Sequence, residues 1–256
     1  MLKSEKRIFG DKWKFAHNGY FSDNEVSKKL ISLITKLILE SNTKIVTDLG
    51  GGTGYILNKL LSNNKLNEIK LLNIDKSDIQ LAEIEATEII PIKKSFYSFI
   101  RDDVAYDSTK LMLIARSILH YAGKSNLNKL LLHISSQLNK EEYFIHQSAS
   151  FTNLNDAECL NSLYSMMNTG KWYTTKDILQ NRLNESGFSV EQIVSAPPLS
   201  LTAEELSARY AISNDKMYDI YKLLLKSYGN VPSVINFTKN SFTAYLHYYI
   251  FVCKKK

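Results

Sequence analysis

The chain has 256 residues, 44% of them hydrophobic, with only four prolines and ten glycines; that is enough apolar material for one sizeable core and excludes a long disordered linker. The net charge of +6 sits on dispersed lysines and on the two ends of the chain, which reads as a solvated surface more than a nucleic-acid groove and would also favour an acidic small substrate. Cys159 and Cys253 lack metal-ligand spacing, residues 1–7 are charged with no apolar segment behind them, and the apolar run 111–119 is interrupted by Arg116; the expectation is a reduced, cytoplasmic protein without a metal site, secretory signal or membrane span.

Ser22 and Glu25 form a capping-box pattern, and Val26, Leu30, Ile34, Leu37 and Ile38 recur at helical spacing, so residues 24–40 are predicted as an amphipathic helix. Ahead of it, Phe9, Trp13, Phe15, Tyr20 and Phe21 make an aromatic cluster that is either a staple on the core or a lid over a ligand. Residues 44–49 form a short β-rich run that ends at a glycine loop, and 55–61 resume a helical pattern. A second strand, 69–74, stops at Asp75, with Ser77 and Asp78 placed to cap the next helix. Residues 88–93 make a third strand with Pro91 inside it, 110–115 a strongly apolar fourth, 126–138 a helix, and 143–147 a fifth strand. Helices follow at 153–167 and 175–186, the latter stopped by Gly187, and then a sixth strand at 188–194. Pro197 and Pro198 are expected to break the chain, Thr202 and Glu205 to open a helical region reaching about residue 228, and 244–252 to form the last strand. Strands alternating with helices at this spacing predict a seven-stranded, mostly parallel, doubly wound α/β sheet in a single domain, residues 1–256.

The loop Asp48-Leu49-Gly50-Gly51-Gly52-Thr53-Gly54 lies between a strand and a helix. Its glycines permit positive φ and close approach of a ligand to the backbone. Its register does not fit a dinucleotide fingerprint, which needs glycine or alanine where Tyr55 stands. Asp48 next to a pyrophosphate would be repelled, but next to an ammonium group it is favourable. Asp75, at the end of the following strand, can accept both hydroxyls of a ribose.

Asp48-x-Gly50-x-Gly52-x-Gly54 is similar to motif I of the class I S-adenosylmethionine-dependent methyltransferases. The stretch Leu72-Asn73-Ile74-Asp75-Lys76-Ser77 resembles their second strand, Met112 through Tyr121 their fourth strand and its turn, and Glu185-Ser186-Gly187-Phe188 the start of their sixth. The resemblance covers about residues 44–194 and the closing strand. It implies a Rossmann-like methyltransferase fold with S-adenosyl-L-methionine as cofactor. Gly50, Gly51, Gly52 and Gly54 would then line the methionine moiety, Asp48 would orient its ammonium, Asp75 would hold the ribose, and Lys76 would lie beside the adenine. The acid that many members carry after the third strand is missing; Ser95 and Phe96 stand there, able to hydrogen-bond and to stack.

Residues at the carboxyl ends of the strands flank the ligand in such sheets, which brings Arg116, Ser117, His120 and Tyr121 from strand four and His146 and Gln147 from strand five. His120 and His146 are the candidate bases. Trp172 and Tyr173 either wall the substrate pocket, with Tyr173 counted among the catalytic candidates, or pack in the core. Arg116 is placed to pair with a carboxylate of substrate or cofactor, or with Asp102, Asp103 or Asp107. An N-terminal lid of about residues 1–25 and a helical insertion of about 197–240 between strands six and seven are expected to form a cap, with Ser200, Tyr210, Tyr218 and Tyr221 as candidates to face it. A cap suits a small substrate.

The expected activity is methyl transfer to a small-molecule acceptor, of the kind found in natural-product biosynthesis. A cyclase of the azetidine-2-carboxylate synthase type, which closes the methionine chain on its own amine and releases methylthioadenosine, is the alternative. A nucleic-acid methyltransferase is disfavoured: residues 116–119 read Arg-Ser-Ile-Leu where exocyclic-amine enzymes carry an Asn/Asp-Pro-Pro-aromatic motif. No membrane partner is expected, and a homodimer stays open.

Overall fold

The centre of the sheet is made by strands buried on both faces. Every residue of β1 (Ile45–Leu49) is buried, as are Leu111 to Ala115 of β4 (Leu111–Arg116), the pattern expected of parallel strands covered by helices. The computed structural model describes residues 19–64, 66, 68–106, 109–229, 231 and 233–256. The remaining strands are β2 (Lys70–Asp75), β3 (Ile89–Lys93), β5 (Tyr143–Phe151), β6 (Thr174–Thr175), β7 (Phe188–Thr202), β8 (Ile235–Phe237) and β9 (Phe242–Lys255). Their order is β3-β2-β1-β4-β5-β9-β7, with β6 on β5 and β8 on β9, nine strands among the described residues. The seven expected strands are the main path, and the two short ones add to it. β3 through β5 pair in parallel, whereas β9 is antiparallel to both β5 and β7. β3 lies at the edge, where Pro91 and its missing N–H are tolerated.

Helices α1 (Asn24–Ser41) and α2 (Tyr55–Leu61) cover one face: Leu30, Ile34 and Ile38 share a core with Ile56, Leu57 and Leu60. After the short α3 (Asp78–Leu81), α4 (Gly123–Ser136) and α6 (Lys176–Glu185) cover the other, through Leu127, Leu131, Leu179 and Leu183. A third core joins α5 (Leu154–Met166), α7 (Ala203–Tyr210) and α8 (Asn214–Tyr228) to the carboxyl end of β5 at Ala149 and Phe151. This core stands above the sheet, next to the glycine loop's end of the strands.

Several local expectations shift. The cap of α1 is Asp23, whose side chain accepts from Val26 N at 3.0 Å, while Ser22 donates to Gly19 O; the shorter reach of the carboxylate next to the first helical residue wins the position. Ser77 precedes α3 but makes no side-chain cap bond. The prolines at 197 and 198 do not end the sixth strand. β7 runs on to Thr202, and a register shift between Ala196 and Leu199 removes the ladder bonds that proline cannot make. Thr202 and Glu205 do form a reciprocal capping box, at 2.7 and 3.2 Å. The helical region it opens divides at Ala211, which takes a left-handed φ of 53°, and restarts under a Ser213 cap. Phe9, Trp13 and Phe15, and most of the proposed lid, lie outside the described residues, as does Asp107.

Candidate cofactor and substrate site

The strand order reverses between β1 and β4, and the glycine loop sits at that switch point. Gly50 N donates to Ile74 O at 2.7 Å, which folds the loop back over the tip of β2. Asn73 Nδ2 donates to Gly52 O at 2.8 Å, and Gly52 N donates to Asp75 Oδ2 at 3.1 Å. Contact is so close that a Cβ on Gly51 would lie 1.9 Å from Asn73 Oδ1 and 2.7 Å from the Asp48 carboxyl. Gly50 and Gly52 adopt φ of 68° and 58°, where only glycine is unstrained. Asn73 is thus a loop anchor that sequence reasoning missed; as one polar residue in an apolar strand, it offered a weak signal.

Two carboxylates lie beneath and beside this loop. Burial pushes the Asp48 carboxyl up to about 7, with Arg116 opposing and Asp75 adding to the rise. Its Oδ1 has no partner among the described residues. Asp75 accepts from Gly52 N and, at 2.8 Å, from Ser77 N, with Lys76 N a further backbone donor; a carboxylate has about four lone-pair sites, so acceptor capacity remains. Burial raises its pKa and those backbone donors counter the rise. Arg116 donates from Nη1 to Phe21 O at 2.9 Å, and its guanidinium lies 5.1 Å from the Phe21 ring centre and 5.9 Å from that of Tyr20. Its Nε and Nη2 find no partner among the described residues. Asp103 is instead held by Lys94 at 2.7 Å, so it is not the partner of Arg116.

A cavity of about 850 Å³ opens over the loop and extends to the third core. Of the residues expected to bind a cofactor, Asp48, Gly50, Gly51, Gly52 and Asp75 line it, as do Lys76, Phe96 and Arg116. Gly54 and Ser95 do not: Gly54 caps α2 in a left-handed conformation, and Ser95 Oγ accepts from Tyr97 N within its own turn. Of the catalytic candidates, His120 and Tyr173 line the cavity, their rings 5.2 Å apart. Burial, together with Lys171 and Arg209, holds His120 well below the usual histidine range, so its ring is neutral at pH 7. Burial pushes the Tyr173 phenol well above 10.

His146 is not part of this cavity. Its ring is stacked between Phe251, at 4.9 Å, and Phe144, at 4.8 Å, with Nδ1 against Ser148 Oγ at 2.9 Å. Strand periodicity puts residues 144, 146 and 148 on one face, toward the α4–α6 side and its core, and burial pushes the imidazole down to about 3. Trp172 likewise stands outside the cavity, under the Arg182 guanidinium. Tyr210 faces the cavity, but Ser200 and Tyr218 are exposed and Tyr221 donates to Thr238 O and Lys239 O.

The far wall also contains two charged groups that no motif in the sequence marks. Lys171 and Arg209 are 8% and 5% exposed, and both line the cavity with Tyr164, Tyr210 and Tyr248. Ser117, at a left-handed φ of 60°, hydrogen-bonds Tyr248 OH at 2.8 Å. Tyr173 is fixed by a two-point clamp, with Asn161 Nδ2 donating to its carbonyl and Asn161 Oδ1 accepting from its N–H, each at 2.8 Å.

No protein-family model and no curated protein matches the sequence. Solved structures do. YcgJ of Bacillus subtilis aligns with a TM-score of 0.65 at 13% identity, over 90% of this chain and 99% of that one. BH2331 of Bacillus halodurans, described as a candidate methyltransferase, gives 0.68 at 14% identity, over 88% and 99% of the two chains. The mitomycin 7-O-methyltransferase MmcR gives 0.58 at 11% identity over 99% of this chain and 61% of its own, and the [4+2]-cyclase SpnF gives 0.54 at 12% over 89% and 80%. At these identities the likeness is one of fold, and with the strand order above it identifies the architecture as the Rossmann-like fold of class I S-adenosylmethionine-dependent methyltransferases.

Proposed function

We propose that the protein binds S-adenosylmethionine across the glycine loop and catalyses transfer of its methyl group to a small organic acceptor held in the same cavity. The observation that carries this reading is the combination of a side-chain-free loop, fastened to Asn73 and Asp75, with an 850 Å³ chamber directly above it. The residues fit the cofactor. Asp75 offers acceptor capacity for the ribose hydroxyls, Phe96 a face for the adenine, and Asp48 and Arg116 buried polar atoms without partners among the described residues for the amino-acid end.

When bound, the sulfonium supplies an already activated methyl group, so the protein's task is alignment and exclusion of water. The segment 19–22, latched by Arg116 and by Tyr20 OH on Pro197 O, and the end of helix α7 serve as the cap that encloses the reaction, with α8 packed behind them. His120 Nδ1 or Nε2, neutral at working pH, accepts a proton from an acceptor O–H or N–H. The Tyr173 phenol stays protonated and orients the acceptor as a hydrogen-bond donor. An acceptor from natural-product metabolism suits the aromatic chamber and agrees with the presence of MmcR and SpnF among the fold matches.

One observation favours the cyclase as a second reading. Closing the methionine chain on its own nitrogen needs a neutral amine. In that reaction the N–C bond would form as the C–S bond broke, methylthioadenosine would leave, and the nitrogen would give up a proton. Asp48 is a weak anion near neutrality and holds an ammonium correspondingly less firmly. Mass spectrometry of the protein with S-adenosylmethionine decides between the two. S-adenosylhomocysteine formed only with a metabolite extract supports methyl transfer, methylthioadenosine formed without extract supports cyclisation, and neither product rejects both.

A further inference from the structure

We propose that Arg116 is a two-sided clamp through which a carboxylate in the cavity closes the strap of residues 19–22 over itself. The proposal rests on the reading above only in naming that carboxylate as the methionine end of the cofactor. Arg116 ends β4 in the cavity wall, and its guanidinium is engaged on one side only. There, Nη1 donates to Phe21 O at 2.9 Å, and the guanidinium lies 5.1 Å from the Phe21 ring centre and 5.9 Å from that of Tyr20. On the other side, Nε and Nη2 are buried without a partner among the described residues. The Nε–H and the neighbouring Nη2–H point the same way and form the planar fork that takes both oxygens of one carboxylate. Buried N–H groups cost free energy until a ligand or water accepts from them. Among the described residues that line the cavity, Asp48 Oδ1 is the one buried acceptor in the same condition. An amino-acid end carries the two groups, carboxylate and ammonium, that this fork and this oxygen call for.

The strap has fastenings of its own. Tyr20 is buried; its OH donates to Pro197 O at 2.5 Å and accepts from Gln147 Nε2 at 3.4 Å, and its ring lies 5.6 Å from that of Tyr248. Phe21 stands edge-on to Tyr248 at 6.3 Å, and Tyr248 OH is tied to Ser117 Oγ at 2.8 Å. Gly19, Phe21 and Ser22 line the cavity. The strap therefore meets the end of β4 directly at Arg116 and, through Tyr248, at Ser117. A carboxylate on the fork pins the guanidinium in the plane that presents Nη1 to Phe21 O. A seated strap in turn aims the fork into the cavity. Each event favours the other, and by the same factor in both directions. Closure so coupled excludes water from the amino-acid end once the ligand is in place.

Hydrogen–deuterium exchange of the intact protein, read by mass spectrometry over residues 19–23, measures strap closure. The two ligands are S-adenosylhomocysteine and its decarboxylated analogue, which keeps the amine and the adenosine, each at saturating concentration. S-adenosylhomocysteine should slow exchange there at least about fivefold and the analogue less than about twofold. Arg116→Lys, which keeps the charge and loses the fork, should bind methylthioadenosine like the wild type and lose that protection. Tyr20→Phe, which loosens the strap and leaves the fork, should weaken S-adenosylhomocysteine binding about fivefold and leave methylthioadenosine binding unchanged. Equal protection by the two ligands, protection that persists in Arg116→Lys, or unchanged S-adenosylhomocysteine affinity in Tyr20→Phe overturns the clamp alone. Failure of the wild type to bind either S-adenosylhomocysteine or methylthioadenosine overturns the cofactor reading and the clamp with it.

Discussion

The two sides of the cavity are built by different means. The loop side is backbone: three glycines, two amide donors and the side chains of Asn73 and Asp75, drawn from β1, β2 and the turn between β1 and α2. The far wall is side chains: His120 from a turn after β4, Lys171 and Tyr173 from the segment around β6, and Arg209 and Tyr210 from the end of α7. At Gly51 the backbone surface has no room for an added carbon, whereas a side-chain surface can exchange chemistry without disturbing its frame. Under the proposed function, the loop side would hold the cofactor and the far wall the acceptor.

Substitutions on each side should separate accordingly. The largest effect is expected for Gly51→Ala, whose Cβ has no room beside Asn73 and Asp48. Affinity for S-adenosylhomocysteine should fall more than about 100-fold, or about 3 kcal/mol, in calorimetry on protein with a native circular dichroism spectrum. Retained affinity would break the comparison at its base. On the far wall, His120→Gln should lower kcat by on the order of 100-fold and leave S-adenosylhomocysteine affinity unchanged. A matching loss of affinity would show that the two sides are not separate.

Asp48→Asn sharpens the contrast through pH. The folded-state pKa of Asp48, about 7, lies above its ordinary 3.8. The wild type therefore carries the full contribution of this group below pH 3.8 and loses it as pH rises through 7. Urea unfolding of wild type and variant should diverge over that window, the variant gaining relative stability up to a limit of about 4 kcal/mol. A constant difference across the window would remove Asp48 from the account.

The smallest effect on turnover is expected for His146→Leu, because that ring packs in the sheet core and not in the cavity. Activity should change by no more than about twofold, as for substitutions distant from the chemistry. Its pH behaviour runs opposite to that of Asp48. A folded-state value of about 3, below the ordinary 6.5, gives stability that is present above pH 6.5 and lost as pH falls toward 3. The wild type should weaken in acid over that interval and the variant much less. Loss of turnover in His146→Leu would return His146 to the site.

The two histidines also mark where sequence reasoning stops. The sequence places both near the carboxyl ends of apolar strands, as candidate bases, but β5 runs on to Phe151 and leaves His146 inside it. Strand register alone separates them. His146 shares its face with Phe144 and Ser148, while His120 lies past the end of β4, on a turn that leans over the cavity. The loop side was legible because its requirements fall on residues close in sequence: positive φ at Gly50 and Gly52, and a carboxylate at the next strand's end. Lys171 and Arg209 were not legible. A lysine after a helix and an arginine inside one read as solvated until the third core closes around them.

What the sequence determined by itself was therefore the alternation of strands and helices, the glycine loop and the carboxylates Asp48 and Asp75, because each follows from periodicity or from backbone geometry over a few residues. Only the tertiary structure decided which buried charges share a wall, that Pro197 and Pro198 bulge a strand without ending it, and that His146 belongs to the core. Those outcomes depend on partners distant in the chain, and the free energy of burying a polar group is set by the groups around it and not by its neighbours in sequence.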